Sequence, residues 1–396
     1  MNLSSVSSHG VKPPKALSIG LIGPGNVGSE LLQQIHDQLL PLRIEQNLVL
    51  RVRALANSQR MLLADSGVDL LQWLPELKRH GQALDWPEFT RHLLHDEATN
   101  VIVDCSASGA VADRYPNWMA QGIHIVTPNK QAGSGCLQRY QQIQNYRRQG
   151  VGFHYETTVA AGLPVMGSLR DLRATGDEIL AIDGMLSGTL AWLFNRFDGS
   201  QPFSELVKKA HAQGYTEPDP RDDLDGKDVA RKLVILAREC GHALNVDDVL
   251  VESLVPGDLL GLPLADFWAG IKAWDADMAE RYRQAQAKDE VLRYVAKLST
   301  EGTAQVKLCS LPRSHDFART RGTDNVLQLT SKRYCDNPLV IQGPGAGREV
   351  TAAGVFADLL RVAASVPHVA ELALLNQARL VPKTGEFSSK SLSVGG

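Results

Sequence analysis

Residues Ala16–Leu40 read ALSIGLIGPGNVGSELLQQIHDQLL. An apolar run of strand length ends at Gly23, and Val27, Leu31, Leu32 and Ile35 then recur at helical spacing. Between them, GPGNVG places Gly23, Gly25 and Gly28 in the order G-x-G-x-x-G. Glycines there meet three needs: a tight turn, close approach of backbone N–H groups to a pyrophosphate, and close packing of the helix on the strand. The helix start also turns its positive dipole end toward such phosphates. The motif alone is weak, but between a strand and a helix it predicts a dinucleotide site at Gly23, Gly25, Asn26, Val27 and Gly28.

Outward from this unit, LVLRVRALAN (Leu48–Asn57), NVIVDCSAS (Asn100–Ser108) and GIHIVTPNK (Gly122–Lys130) read as further strands. LLQWLPELKRH and RYQQIQNYRRQG read as helices. Strands alternating with helices predict an α/β fold, a Rossmann-type doubly wound parallel sheet over residues 16–150. Past Gly150 the pattern changes, and EILAIDGML and AQVKLCSL are strand candidates in an α+β region over 151–340. PLVIQGPGAGREVTAAGVFADLLRVAASV then reads as a strand, a glycine turn and a small-residue helix suited to close packing. Residues 341–376 are therefore expected to return to the nucleotide domain, which makes the second region an insertion. Residues 1–15 read as a flexible lead without the apolar core of a signal peptide. HVAELALLNQARL reads as an added helix, and 377–396 as a Ser- and Gly-rich disordered tail.

The composition is that of an ordinary globular chain, with 43% hydrophobic and 21% charged residues. A net charge of −3 gives no electrostatic case for nucleic acid or for an anionic membrane as partner. No apolar run reaches membrane-spanning length. The five cysteines are scattered and lack a CxxC pair, which fits a reducing cytoplasm and argues against a disulfide framework or a cysteine-based zinc site.

The end of the second strand bears on the choice of nicotinamide. NAD sites usually place an acid there for the ribose 2′-hydroxyl. Here the strand ends ANSQR, where Asn57, Ser58 and Arg60 can bond or pair with a 2′-phosphate and no carboxylate repels it. This favours NADP, with NAD use left open, and Arg60 can equally be a solvated cation at a helix start. The small residues of DCSAS, Ser106 among them, fall at the carboxyl edge of the sheet, where ligands of open α/β folds bind. Lys130, in TPNK, falls at the same edge.

GYTEPDPRDDLDGKDVARK (Gly214–Lys232) holds six carboxylates and four cations. Its prolines and Gly226 forbid regular structure before about Lys227. From there Val229, Leu233, Leu236 and Cys240 form one apolar stripe, and Asp228 and Lys232 are neighbours four residues apart. Lys232 lies roughly 70° from the centre of the stripe, at the rim where a side chain can line a cleft. On spacing alone this is a surface ion pair worth a few tenths of a kcal/mol. The functional reading is a lysine acid in a partly desolvated cleft, with acids around it to bind a cationic substrate group.

GPGNVG, VTPNK, YETTVAAGLPV, LSGTLAWLFNRF, GYTEPDPRDDLDGKDVARK and GPGAGREVTAAGVFADLL, in this order from Leu17 to Arg361, resemble the homoserine dehydrogenases. The resemblance implies reversible NAD(P)-dependent oxidation of L-homoserine to L-aspartate 4-semialdehyde, a step toward threonine and methionine. It implies that Lys232 is the proton donor, that Glu217 and Asp228 bind substrate with Asp223 as helper, and that Lys130 lies at the cofactor–substrate junction. Gly214 and Gly347 resemble cofactor contacts. Glu156, Val159, Ala161 and Leu163 resemble the ligands of a monovalent cation, typically sodium, held largely through backbone carbonyls. A homodimer formed through the inserted domain is also implied. Relatives that respond to threonine carry an added domain with no counterpart in these motifs, so such feedback is not expected.

Two other classes compete. A semialdehyde dehydrogenase of another type needs a nucleophilic cysteine with a histidine base, for which Cys105 and Cys136 are the candidates. A non-catalytic NADPH-binding sensor would need the glycine loop and not Lys232.

Overall fold

The computed structural model describes residues 14–96 and 98–365. Most of the lead, the added helix and the tail read from the sequence lie outside the described residues. No helix among the described residues is long and apolar enough to cross a membrane.

The first sheet has seven strands: β1 (Lys15–Ile22), β2 (Leu48–Ala56), β3 (Arg60–Leu63), β4 (Gln82–Ala83), β5 (Thr99–Asp104), β6 (His124–Val126) and β7 (Phe153–His154). Their order is β4-β3-β2-β1-β5-β6-β7. The pairs from β2 across β1, β5 and β6 to β7 are all parallel, as an alternation of strands and helices requires. The outer two strands depart from the expected all-parallel sheet, since β3 runs antiparallel to β2 and β4 to β3. The cause is local. The Asn57 side chain accepts from Gln59 N at 2.9 Å and Arg60 N at 2.7 Å, and this Asx turn reverses the chain at once where a crossover helix was expected.

The second sheet contains β8 (Ile179–Met185), β9 (Leu250–Val251), β10 (Glu290–Ser299), β11 (Ala304–Pro312), β12 (Asp324–Ser331) and β13 (Leu339–Pro344), ordered β13-β12-β8-β10-β11-β9. All its pairs are antiparallel except β9 with β11. Two expected boundaries shift. β7 pairs with β6 beyond residue 150, because backbone pairing continues the first sheet past the glycine turn at Gly150. β13 belongs to the second sheet although the return segment was expected to begin at 341, because Leu339–Pro344 zips along β12.

The chain then goes back. In the helix Arg348–Ser365, Ala352, Val355, Leu359 and Val362 share one buried cluster with Leu31, Leu32 and Ile35 of the helix Asn26–Glu45. The two domains also meet through the helix Lys227–Glu239. Its Ile235 stands so near Gly133 that a Cβ there would lie 3.0 Å away, and Arg238 donates to Gly133 O at 2.8 Å. That close approach brings the N-terminal turns of the helices Lys130–Ser134 and Lys227–Glu239 together.

Candidate active site

Gly23 ends β1 with φ +79°, a conformation that favours glycine. A side chain on it would also meet Ser106 N at 2.8 Å. A Cβ on Gly28 would strike Gly23 O, which is the helix-on-strand contact expected of the third glycine. A Cβ on Gly25 would meet nothing within 4 Å, so that side of the loop is open to a ligand. Gly25 starts the helix Asn26–Glu45 with no side-chain cap, and the helix end faces outward with N–H groups available. The loop therefore fits a dinucleotide phosphate.

Asn26 and Val27 form one wall of a cleft of about 730 Å³ between the two domains. Lys130, Gly214, Glu217, Asp223, Asp228, Lys232, Ala161 and Gly347 line the same cleft, together with Ser187–Thr189 and Arg348. The structure thus brings the acidic loop, the end of β6 and the late glycine turn to one place. Asn57, Ser58 and Ser106 do not line it; they follow β2 and β5, the two strands that flank β1, and Ser106 N lies against Gly23 of the glycine loop.

At the centre of the cleft, Asp228 accepts from two ammonium groups. Lys130 Nζ lies 3.0 Å from its Oδ1, and Lys232 Nζ lies 2.9 Å from its Oδ2. Burial alone would push the Asp228 carboxyl up, but the two ammoniums hold it well below the usual carboxylate range. Lys232 also donates to Leu186 O at 2.6 Å, and its side chain is 12% exposed against 36% for Lys130. The lysine at the rim of the apolar stripe is therefore inside the cleft and not a solvated surface cation. Gly226 sets this geometry. It starts the helix at φ +76°, where a Cβ would strike the Tyr294 hydroxyl.

The acids of the loop divide by role. Asp223 Oδ2 accepts from Glu217 N at 2.8 Å and Oδ1 lies 2.9 Å from Thr189 Oγ1, while burial pushes its carboxyl up. Glu217 lines the cleft. Asp219 pairs with Arg221 at 2.6 Å, and Asp225 with Lys227 at 2.9 Å. Arg221 in turn reaches the carbonyls of Leu259, Leu260 and Leu262, so these charges secure the loop.

Three groups of contributors carry no signal in the sequence. Asp104, fully buried at the end of β5, accepts from Ser106 N at 2.8 Å and Asn129 Nδ2 at 3.0 Å, and from the Tyr115 hydroxyl. Burial pushes its carboxyl up. It joins the two strand-end loops, and Asn129, capping the next helix through Gln131 N, fixes Lys130. Thr189 and the carbonyl of Leu186 come from LSGT, where no pattern marks them, because their partners are distant in sequence. The third is Asn325, whose buried amide lies under Gly345 with neither polar atom bonded.

Arg60 is corrected. It opens a strand, not a helix, and its guanidinium donates to Lys78 O at 2.8 Å and to Gly81 O. It therefore caps the C-terminal end of the helix Trp73–His80, where cations are favoured. Of the rival cysteines, Cys105 is half-buried, and desolvation with Asp104 nearby pushes its thiol up, away from the thiolate a nucleophile needs. Cys136 is exposed and lies off the cleft, at the start of the helix Leu137–Arg148, where the backbone N–H groups of Arg139 and Gln138 hold its thiol below the usual range.

In the cation segment, Ala160 and Ala161 both take positive φ, +58° and +50°, and Ala160 O accepts from Leu163 N at 3.1 Å. The Glu156 carboxylate is engaged by Met166 N and Gly167 N, and its carbonyl accepts from Val159 N at 3.4 Å. Among the described residues no cluster of three or more His, Cys, Asp or Glu could hold a metal ion.

A glycine-loop α/β domain opening on a cleft with an ammonium–carboxylate–ammonium bridge is the architecture of a nicotinamide-dependent dehydrogenase. A homoserine dehydrogenase family model matches residues 164–360, and the NAD-binding domain of homoserine dehydrogenase matches 23–156. The chain is 36% identical over 361 residues to the homoserine dehydrogenase of Schizosaccharomyces pombe, covering 88% of this chain and 96% of that one. The chain belongs to the homoserine dehydrogenase family. It is also 46% identical over 351 residues to a chloroplastic bifunctional aspartokinase/homoserine dehydrogenase 1 of Zea mays, covering 87% of this chain and 38% of that protein's length. A crystal structure of a Candida auris protein of unknown function superposes with TM-score 0.81 at 37% identity, over 88% of this chain and 98% of that one. A hyperthermophilic archaeal homoserine dehydrogenase in complex with NADPH shares the fold, with TM-score 0.67 at 21% identity over 89% of this chain and 99% of that one.

Proposed function

We propose that this chain catalyses the reversible oxidation of L-homoserine to L-aspartate 4-semialdehyde with a nicotinamide dinucleotide. The observation that carries this reading is the Lys130–Asp228–Lys232 bridge within one cleft bounded by the glycine loop. A nicotinamide bound at that loop supplies or accepts the hydride. Lys232 Nζ holds the proton that passes to the aldehyde oxygen in reduction and returns in oxidation. Asp228 orients both ammoniums, and Lys130 faces the same reacting centre. Glu217 and Asp223 offer carboxylates to the substrate ammonium, which a site for an amino acid requires.

NADP is favoured over NAD, because Asn57 and Ser58 end β2 without a carboxylate. Arg60 contributes to that preference only through an N–H not already given to carbonyls. A monovalent cation, sodium by resemblance, is assigned to the carbonyls of Glu156, Val159, Ala161 and Leu163. Support comes from the paired positive-φ alanines and from the buried, unpartnered hydroxyl of Thr157 beside them. A homodimer and a reducing cytoplasmic setting, with all five cysteines free, complete the reading.

Steady-state homoserine oxidation with NADP and NAD side by side, in sodium and in choline buffers, tests it. Turnover with both substrates present is expected, with the higher kcat/KM for NADP. Dinucleotide binding without any homoserine-dependent nicotinamide absorbance change would leave the sensor reading instead.

A further inference from the structure

The charges lining the cleft are unevenly committed. Asp228 engages both lysines, whereas Arg348, which lines the same cleft beside Asn26 and Val27, does not share that bridge. Arg348 is the first residue of the last helix, and its side chain is 66% exposed. Its Nε stands 3.6 Å from Glu30 Oε2, too long for a hydrogen bond. The backbone beneath it is held. Gln34 Nε2 donates to Glu349 O at 3.1 Å and to Glu30 Oε1 at 3.2 Å, tying the start of the last helix to the helix that begins at the glycine loop. A fixed base with a loosely held guanidinium thus stands next to an uncapped helix N-terminus.

We propose that Arg348 is a phosphate clamp that rests on Glu30 and moves to the pyrophosphate when a dinucleotide occupies the glycine loop. The inference rests on the dinucleotide reading of that loop. A long ion pair with a largely exposed guanidinium is worth little, so exchanging Glu30 for a doubly charged pyrophosphate costs little. Guanidinium binds phosphate oxygens in a two-point fork that a lysine lacks. Glu30, left without its partner by that move, repels the same phosphates, so neutralising it should favour the bound position of Arg348. The pyrophosphate is common to both nicotinamides, and the clamp therefore does not discriminate between them.

The experiment is fluorescence titration of NADPH and NADH into the full chain, the wild type and the variants Arg348→Ala and Glu30→Gln, at low and high salt. Thermal melting checks that each variant is folded. Arg348→Ala is expected to weaken both dinucleotides by a similar factor, about tenfold at low salt, with the gap narrowing at high salt. Glu30→Gln, which releases the guanidinium, is expected to bind at least as tightly as the wild type. Wild-type affinity in Arg348→Ala, a loss confined to NADPH, or weaker binding by Glu30→Gln would each overturn the clamp alone. A wild type that binds neither dinucleotide would overturn the dinucleotide reading as well.

Discussion

Lys130 Nζ and Asp228 Oδ1 lie 3.0 Å apart, although one residue follows a strand of the first sheet and the other opens a helix of the inserted domain. The contact spans the domain junction, so the cleft is electrostatically complete only when the two domains are docked. Lys232, bonded to the other oxygen of Asp228, inherits that dependence.

Removing the proton donor leaves the glycine loop untouched. Lys232→Ala is expected to lower semialdehyde reduction at least about 10³-fold, at the upper part of the range for a positioned acid. NADPH affinity, read by fluorescence, should stay within about twofold of the wild type, since a single unpartnered cleft charge perturbs it little. Retained turnover would remove Lys232 from the chemistry.

Asp228 makes a prediction about pH. Its carboxyl is held low in the folded chain by two ammoniums, so ionisation stabilises the fold above the unfolded carboxylate value of about 4. That contribution declines as pH falls below about 4 and toward the folded value. Asp228→Asn should therefore melt lower than the wild type near neutrality, with the difference shrinking in acid. A constant difference from pH 7 down to pH 3 (roughly the window in which the unfolded carboxyl titrates) would argue against the charge bridge. Turnover should fall by about 10²-fold, because both lysines lose their shared anchor.

The turn after β2 offers a test of cofactor choice that spares the fold. The Asn57 side chain already accepts from two backbone N–H groups, a role that an aspartate of the same shape retains. Asn57→Asp should preserve melting temperature while placing a negative charge where a 2′-phosphate would lie. The ratio of kcat/KM for NADP to that for NAD is expected to drop about tenfold. An unchanged ratio would mean the 2′-position is read elsewhere.

Gly345 and Asn325 should behave as a coupled pair. A methyl on Gly345 would collide with the Asn325 amide, so Gly345→Ala is expected to destabilise by about 1–3 kcal/mol. Asn325→Ala makes room for that methyl and removes an amide that lacks partners, so alone it should be close to neutral. In a double-mutant cycle by denaturant unfolding, the double variant should recover most of the Gly345→Ala loss. Additive losses would show that the two do not touch in solution.

The glycine loop was legible because its signal is local: a turn, a strand and a helix in one contiguous stretch. The Asp228–Lys232 pair was legible for the same reason, as a single helical turn. The Lys130 end of the bridge could be placed only at a sheet edge, because its partner is set by how Ile235 seats on Gly133. Asp104 and Thr189 were silent for a similar reason, since a buried polar residue in an apolar or small-residue run has no period to reveal it. Arg60 misled because the Asx turn at Asn57 folds a hairpin where strand–helix alternation predicted a crossover. The domain edges moved because β7 and β13 are held by pairing with partners that composition does not show.

The return of the helix Arg348–Ser365 to the helix Asn26–Glu45 also bears on how the molecule is made. Leu31, Leu32 and Ile35 are synthesised before the inserted half, and the residues that cover them after it. As the chain emerges from the ribosome, the nucleotide half keeps an uncovered apolar face throughout synthesis of the inserted half. A stalled or truncated product ending before Arg348 would carry that face into solution, and it is this species, rather than the complete chain, that should engage chaperones.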